Sequence, residues 1–208
     1  EVEYQPEQQY GDPIHIELDF DTPPTFGNSS SILIPRNGDL LQKGYLKIRL
    51  DNPNCDLEGL DFIESVEIEI GETIMFRYEK DFMNIINGLY LIDEKKKMLN
   101  RLSRKGLRER VIPLRLFFNM SEETNQPLPL IALEFAEVVI HINFAKCNSA
   151  NIESASINYK YIHLDTEERR KFIKTEYEYL IEQVQSYHEI IDLGAPLGMK
   201  YFRETEIF

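Results

Sequence analysis

Cysteine is nearly missing from this 208-residue chain: Cys55 and Cys147 are the only two, 92 positions apart. A zinc site or a disulfide framework needs more ligands at closer spacing, so neither is expected. The two residues are expected to be unpaired thiols of a reducing compartment. Long apolar runs are also missing, and no stretch approaches the roughly 20 residues that a membrane-spanning helix requires. The segment Glu1 to Tyr10 is acidic and polar, unlike a secretory signal, and the absent initiating Met suggests a trimmed chain or a fragment. Basic residues are outnumbered, 23 Lys and Arg against 36 Asp and Glu, for a formal net charge of −13. Phosphate binding rests on basic surface, so nucleic acid is not expected as a direct partner.

Signatures of chemistry are lacking too. The chain holds no GxSxG elbow, no phosphate-binding GxxxxGKS/T loop and no GxGxxG turn. Its four histidines, His15, His141, His163 and His188, are scattered without HxH or HExxH spacing, and His15 and His141 fall at outward strand positions. Adjacent acids such as Glu122-Glu123 and Glu167-Glu168 follow from the acidic composition and carry no acid/base signal. The sequons at Asn28 and Asn119 are short, and no secretory signal accompanies them. No catalysis, cofactor, metal or small-molecule substrate is expected. Tyr159 and Tyr161 have two readings, a stacking platform for sugars or bases, or plain sheet packing.

What is present is mainly period-two alternation, the mark of half-buried strands. It runs through Ile14 to Phe20, Leu46 to Leu50, Val66 to Ile70, Ile112 to Phe118 and Val138 to Phe144. Ser31 to Ile34, Ser156 to Leu164 and Tyr179 to Val184 are further candidates. Strands with one apolar face must bury it against a second layer, which predicts an all-β antiparallel sandwich. Val66, Ile68, Ile70, Leu114, Leu116, Ile140, Ile142 and Phe144 are the expected core. Short helices are expected in the connections. Phe82, Ile85, Ile86 and Leu89 form one apolar stripe, predicting a helix near Glu79 to Leu91. A second is expected near Glu94 to Arg104. A third follows Asp165, where Asp165 and Glu168 can form a capping box.

Charge is distributed unevenly. Between Asp93 and Arg110 eight basic residues face three acids, a local +5 that leaves −18 on the rest. The window reads either as a solvated helix and loop or as a docking patch for an acidic neighbour. Lys95, Lys96, Lys97, Arg101, Arg104 and Lys105 are the candidate contact residues.

Five stretches then occur in a telling order: IPRNGDLL (Ile34 to Leu41), IESVEIEIG (Ile63 to Gly71), QPLPLIALEFAEVV (Gln126 to Val139), YIHLDTEERRKF (Tyr161 to Phe172) and EYLIEQVQ (Glu178 to Gln185). Together they resemble the major capsid proteins of nucleocytoplasmic large DNA viruses. The resemblance implies a jelly roll of two four-stranded sheets, occupying residues 14–186 between an N-terminal arm (1–13) and a C-terminal extension (187–208). It implies a structural subunit of an icosahedral capsid, forming homotrimeric capsomers beside neighbouring or minor capsid proteins. It also implies residence in the virion, assembly in the host cytoplasm and a place near an internal membrane. Family members carry two jelly rolls in tandem, so residues 187–208 read as an extension or as the start of a second one. A fragment, an incomplete chain and a one-domain paralogue remain the alternatives. Asn37-Gly38 is expected to make a positive-φ turn. Pro127 and Pro129 are expected to hold the entry to a strand starting near Phe135. The family's His is Ala136 here, and Leu116 to Gln126 departs from its pattern, so no contact residues are carried onto that loop. The competing functional class is a receptor- or carbohydrate-binding β-sandwich of a spike or minor capsid component. A cupin-type enzyme would need clustered His and Glu ligands.

Overall fold

Along Val138–Phe144 every second side chain is buried and those between are half-exposed, the burial of a strand laid on one core. The same alternation organises most of the computed structural model, which describes residues 13–116, 118, 126–133 and 135–174. The order is β1 (Pro13–Asp19), β2 (Ser29–Leu33), β3 (Leu40–Leu50), β4 (Ile63–Ile70) and β5 (Thr73–Glu79). Helices α1 (Lys80–Tyr90) and α2 (Asp93–Ser103) follow, then β6 (Glu109–Leu114), β7 (Leu128–Pro129), β8 (Val138–Phe144), β9 (Ile152–Ile162) and α3 (Thr166–Lys174). The expected strand at Tyr179 to Val184, the motif at Glu178 to Gln185 and His188 lie outside the described residues.

The strands form two antiparallel sheets, ordered β1-β9-β3-β6 and β2-β8-β4-β5. Their pairings are nested: β1 with β9, β2 with β8, β3 with β6, and β4 with β5. The chain is thus a long double strand folded over and rolled up, with alternate rungs in opposite sheets, which is the jelly-roll topology. At its closed end Gly71 and Glu72 both take positive φ (56° and 66°), joining β4 to β5 through a two-residue turn whose twist matches the strands. The first sheet exceeds the expected four strands by one short piece: β7 pairs with Leu40 and Leu41, continuing along β3 where β6 stops.

The core lies between the sheets. Leu46, Ile48, Ile112, Leu114 and Ile157 come from one side and Ile32, Val66, Ile68, Ile140 and Ile142 from the other. Of the eight expected core residues seven are buried, and Ile70, close to the β4–β5 turn, is half-buried at the margin. Leu116 and Phe118 are buried as expected, yet β6 ends at Leu114. β1 is an edge strand whose Ile14 is largely exposed.

Three local expectations are corrected. Asn37-Gly38 does not use positive φ; instead a Cβ on Gly38 would stand 2.9 Å from the Tyr161 Cβ, so glycine is required by the close approach of β9. The strand expected near Phe135 starts three residues later, as β8 at Val138, and its approach is not simply extended: Leu128–Pro129 form β7, Leu130–Leu133 a 3₁₀ turn, and Phe135 is 95% exposed. In α1 the inward face is Met83 and Ile86 with half-buried Phe82, because Phe82 stacks on Tyr78 at 5.0 Å; Ile85 and Leu89 point outward. Gly44 shows the same logic as Gly38, since a Cβ there would collide with the Tyr159 ring.

Candidate inter-subunit surface

Two regions gather the residues singled out in the sequence: a corner between the first, third and fourth motifs, and the helical excursion between β5 and β6. At the corner, Asp39 is almost buried. Its Oδ2 accepts from the Leu164 backbone N–H at 2.7 Å and from Arg169 Nε at 3.0 Å. The Asp39 backbone accepts from Ile131 N–H, and Arg36 donates to the Ala136 carbonyl at 3.1 Å. One carboxylate therefore ties the entry of β3 to the exit of β9 and to α3. The α3 start is a reciprocal capping box: Glu168 N–H donates to Asp165 Oδ1 at 2.8 Å, and Asp165 N–H donates to Glu168 Oε2 at 3.0 Å. The matched residues of this corner hold the fold together.

The excursion is different. It leaves the edge of one sheet at β5 and reaches the edge of the other at β6. Apolar residues occur all round the segment Phe82 to Ile92, more than one buried stripe needs. The surplus faces outward, with Ile85 58%, Leu89 71% and Ile92 61% exposed. These residues were missed as surface candidates, although the excess of apolar positions in the sequence is the signal that marks them. In α2 only Ser103 is buried, and Met98 and Leu102 are exposed.

The structure divides the basic window. Arg110 lies wholly inside, donating to the carbonyls of Leu107, Ser103 and Pro53 at 2.8–2.9 Å with its guanidinium over the Phe62 ring. Burial pulls its pKa below the ordinary guanidinium value. Lys96 donates to the Gly88 carbonyl at 2.8 Å, placing a cation at the C-terminal end of α1 where the helix dipole favours it. Lys105 pairs with Asp56 at 2.7 Å, and this hydrogen bond raises its pKa above the ordinary ammonium value. Lys95 is exposed and engaged in the chain. Lys97, Arg101, Arg104 and Arg108 are exposed, and no ion pair of theirs occurs among the described residues. Asp93 and Glu94 occupy the first turn of α2, so this helix start already has its favourable charge.

Tyr159 and Tyr161 are fully buried, which settles them as packing, and burial pushes both phenols well above their ordinary pKa. His141 faces outward on β8 and bonds Glu69 at 2.9 Å. Among the described residues no group of three or more His, Cys, Asp or Glu is arranged to hold a metal ion, and no helix is long and apolar enough to cross a membrane.

Comparison with known proteins gives this geometry its setting. The major capsid protein of Pyramimonas orientalis virus is 32% identical over 194 residues, covering 82% of this chain and 48% of its own length. That of Paramecium bursaria Chlorella virus 1 is 30% identical over 183 residues, covering 77% and 41%. The chain spans about half the length of the curated relatives it matches. Among solved structures, PBCV-1 VP54 fitted into a reconstruction of the virophage Sputnik superposes with a TM-score of 0.70 at 25% identity, covering 88% of this chain and 50% of that one. The Faustovirus major capsid protein shares the fold alone, with a TM-score of 0.61 at 9% identity. The family model described as the major capsid protein N-terminus matches residues 13–187. The chain belongs to the major capsid protein family of nucleocytoplasmic large DNA viruses, as a counterpart of its N-terminal part.

Proposed function

We propose that this chain is a structural subunit of an icosahedral capsid, building trimeric capsomers in which the α1–α2 excursion meets a neighbouring subunit. The match over residues 13–187 is the observation that carries the structural role. The excursion supports the contact: it exposes Ile85, Leu89 and Ile92 in and just after α1, and Lys97, Arg101 and Arg104 in and just after α2, on a chain otherwise strongly acidic. Subunits of like net charge repel, so opposite patches favour association and set its register. Apolar side chains at the centre of such a contact supply most of its affinity, while charges select the partner. In this reading Lys96, Lys105 and Arg110 shape the excursion, and the exposed cations touch the neighbour. In the same reading the subunit resides in the virion after assembly in the host cytoplasm. Partners are further copies of the chain and other capsid proteins.

One exposed ion pair is worth only about 0–1 kcal/mol, so single charge swaps do little. The triple variant Lys97→Glu, Arg101→Glu, Arg104→Glu is expected to keep the parent's circular dichroism and melting midpoint. Light scattering should show weaker self-association, most at low ionic strength. Equal association of parent and variant in low and high salt would leave the window a solvated face.

A further inference from the structure

Cys55 and Cys147, so far apart in sequence, place their sulfurs 3.4 Å from each other. The topology explains the meeting. Cys55 lies in the connection that leaves β3 for the other sheet, and Cys147 in the one that returns to β9. β3 and β9 are neighbours, paired up to Leu50 and Ile152, so both connections emerge at one end of the sandwich. They are already tied to one another. Asp51 accepts from Asn151 N–H and Nδ2, each at 2.8 Å, and Asn52 Nδ2 donates to the Ser149 carbonyl at 2.8 Å. Arg110 pins the Cys55 side through Pro53.

We propose that Cys55 and Cys147 are a covalent modification site, converted by a small-molecule disulfide of the glutathione type into an internal bond that clamps the two crossover connections. A disulfide needs its sulfurs at about 2.05 Å, so they must close by roughly 1.4 Å, with both loops already held together. The two thiols are unequal. Cys55 is fully buried, whereas Cys147 is partly exposed and within 3.4 Å of Ser149 Oγ. Burial raises the pKa of Cys55. Burial also opposes ionisation of Cys147, but hydrogen bonds from Ser149, Cys55 and the Ala150 N–H outweigh it and lower that pKa.

The order of steps follows. The Cys147 thiolate attacks one sulfur of the small disulfide, whose S–S bond breaks and releases one small thiolate. That thiolate takes up the Cys55 proton. The Cys55 thiolate then attacks the Cys147 sulfur, forming the internal bond and expelling the second small thiolate, which takes up from water the proton that Cys147 lost on ionising. Two protein thiols are oxidised and one small disulfide is reduced to two thiols. The proposal is independent of the capsid reading, because it concerns only the end of one sandwich.

The test equilibrates the full chain in buffers of rising oxidised-to-reduced glutathione ratio, with acid quenching and alkylation. Peptide mapping should find Cys55 linked to Cys147, with the intact mass lower by two hydrogens. The melting midpoint should rise by roughly 5–15 °C, because the bond closes a loop of about ninety residues. In Cys55→Ser the small-molecule adduct should persist on Cys147, and Cys147→Ser should stay unmodified under the same conditions. A stable glutathione adduct on the parent without the internal link would overturn the proposal. So would an internal link that raises the midpoint by less than ~2 °C.

Discussion

The corner around Asp39 and the excursion of α1 and α2 use similar materials, charges set beside apolar residues, to opposite ends. At the corner the carboxylate of Asp39 is buried, and each charge has its partner in the chain: Asp39 with the exposed Arg169, and the exposed Arg36 with the Ala136 carbonyl. In the excursion the apolar surplus faces outward, and Lys97, Arg101 and Arg104 have no ion pair among the described residues. A charge answered within its own chain contributes to folding. One left unanswered beside exposed apolar side chains is available to another molecule. The same division runs inside the basic window, where Arg110 and Lys96 belong to the first kind and Arg101 to the second.

The comparison predicts a descending series of stability effects. Ile140→Ala, at the centre of the sandwich, should cost about 2–5 kcal/mol in urea unfolding, since the cavity cannot collapse between two sheets. A loss below about 0.5 kcal/mol would mean that β8 faces the other way. Asp39→Ala should cost about 1–3 kcal/mol, because it leaves the Leu164 N–H without its acceptor and Arg169 without its partner. Faster amide exchange near Leu164 and in α3 would locate the damage. The double variant Ile85→Ser, Leu89→Ser should change unfolding by only about 0.5 kcal/mol, while reducing self-association in light scattering. A large loss of stability would place these side chains on the folding side of the comparison and remove the contact.

How much of this was legible in the sequence depended on the range of the physics involved. β4, β6 and β8 were readable because alternation is local and a sandwich leaves each strand one wet face. The capping box at Asp165 was readable because its two partners are three residues apart. Gly38 was identified correctly and explained wrongly: a dipeptide suggests a backbone angle, whereas the constraint comes from Tyr161, over a hundred residues away. The inward face of α1 was misread because a segment apolar on several sides offers more than one stripe, and the Tyr78 ring decides which is used. The +5 window was visible as a sum, but its division needed Pro53, Asp56 and Gly88, which are brought to it only by the fold. The meeting of Cys55 and Cys147 was invisible for the same reason, since the register of β3 with β9 sets it.

The central claim is that this jelly roll assembles with its own copies through the α1–α2 face. Sedimentation velocity of the unaltered chain, over a concentration series at low and physiological ionic strength, tests it most directly. A boundary at three times the monomer mass that grows with concentration and weakens with added salt is the predicted result. A single monomeric boundary at every concentration and ionic strength would contradict it.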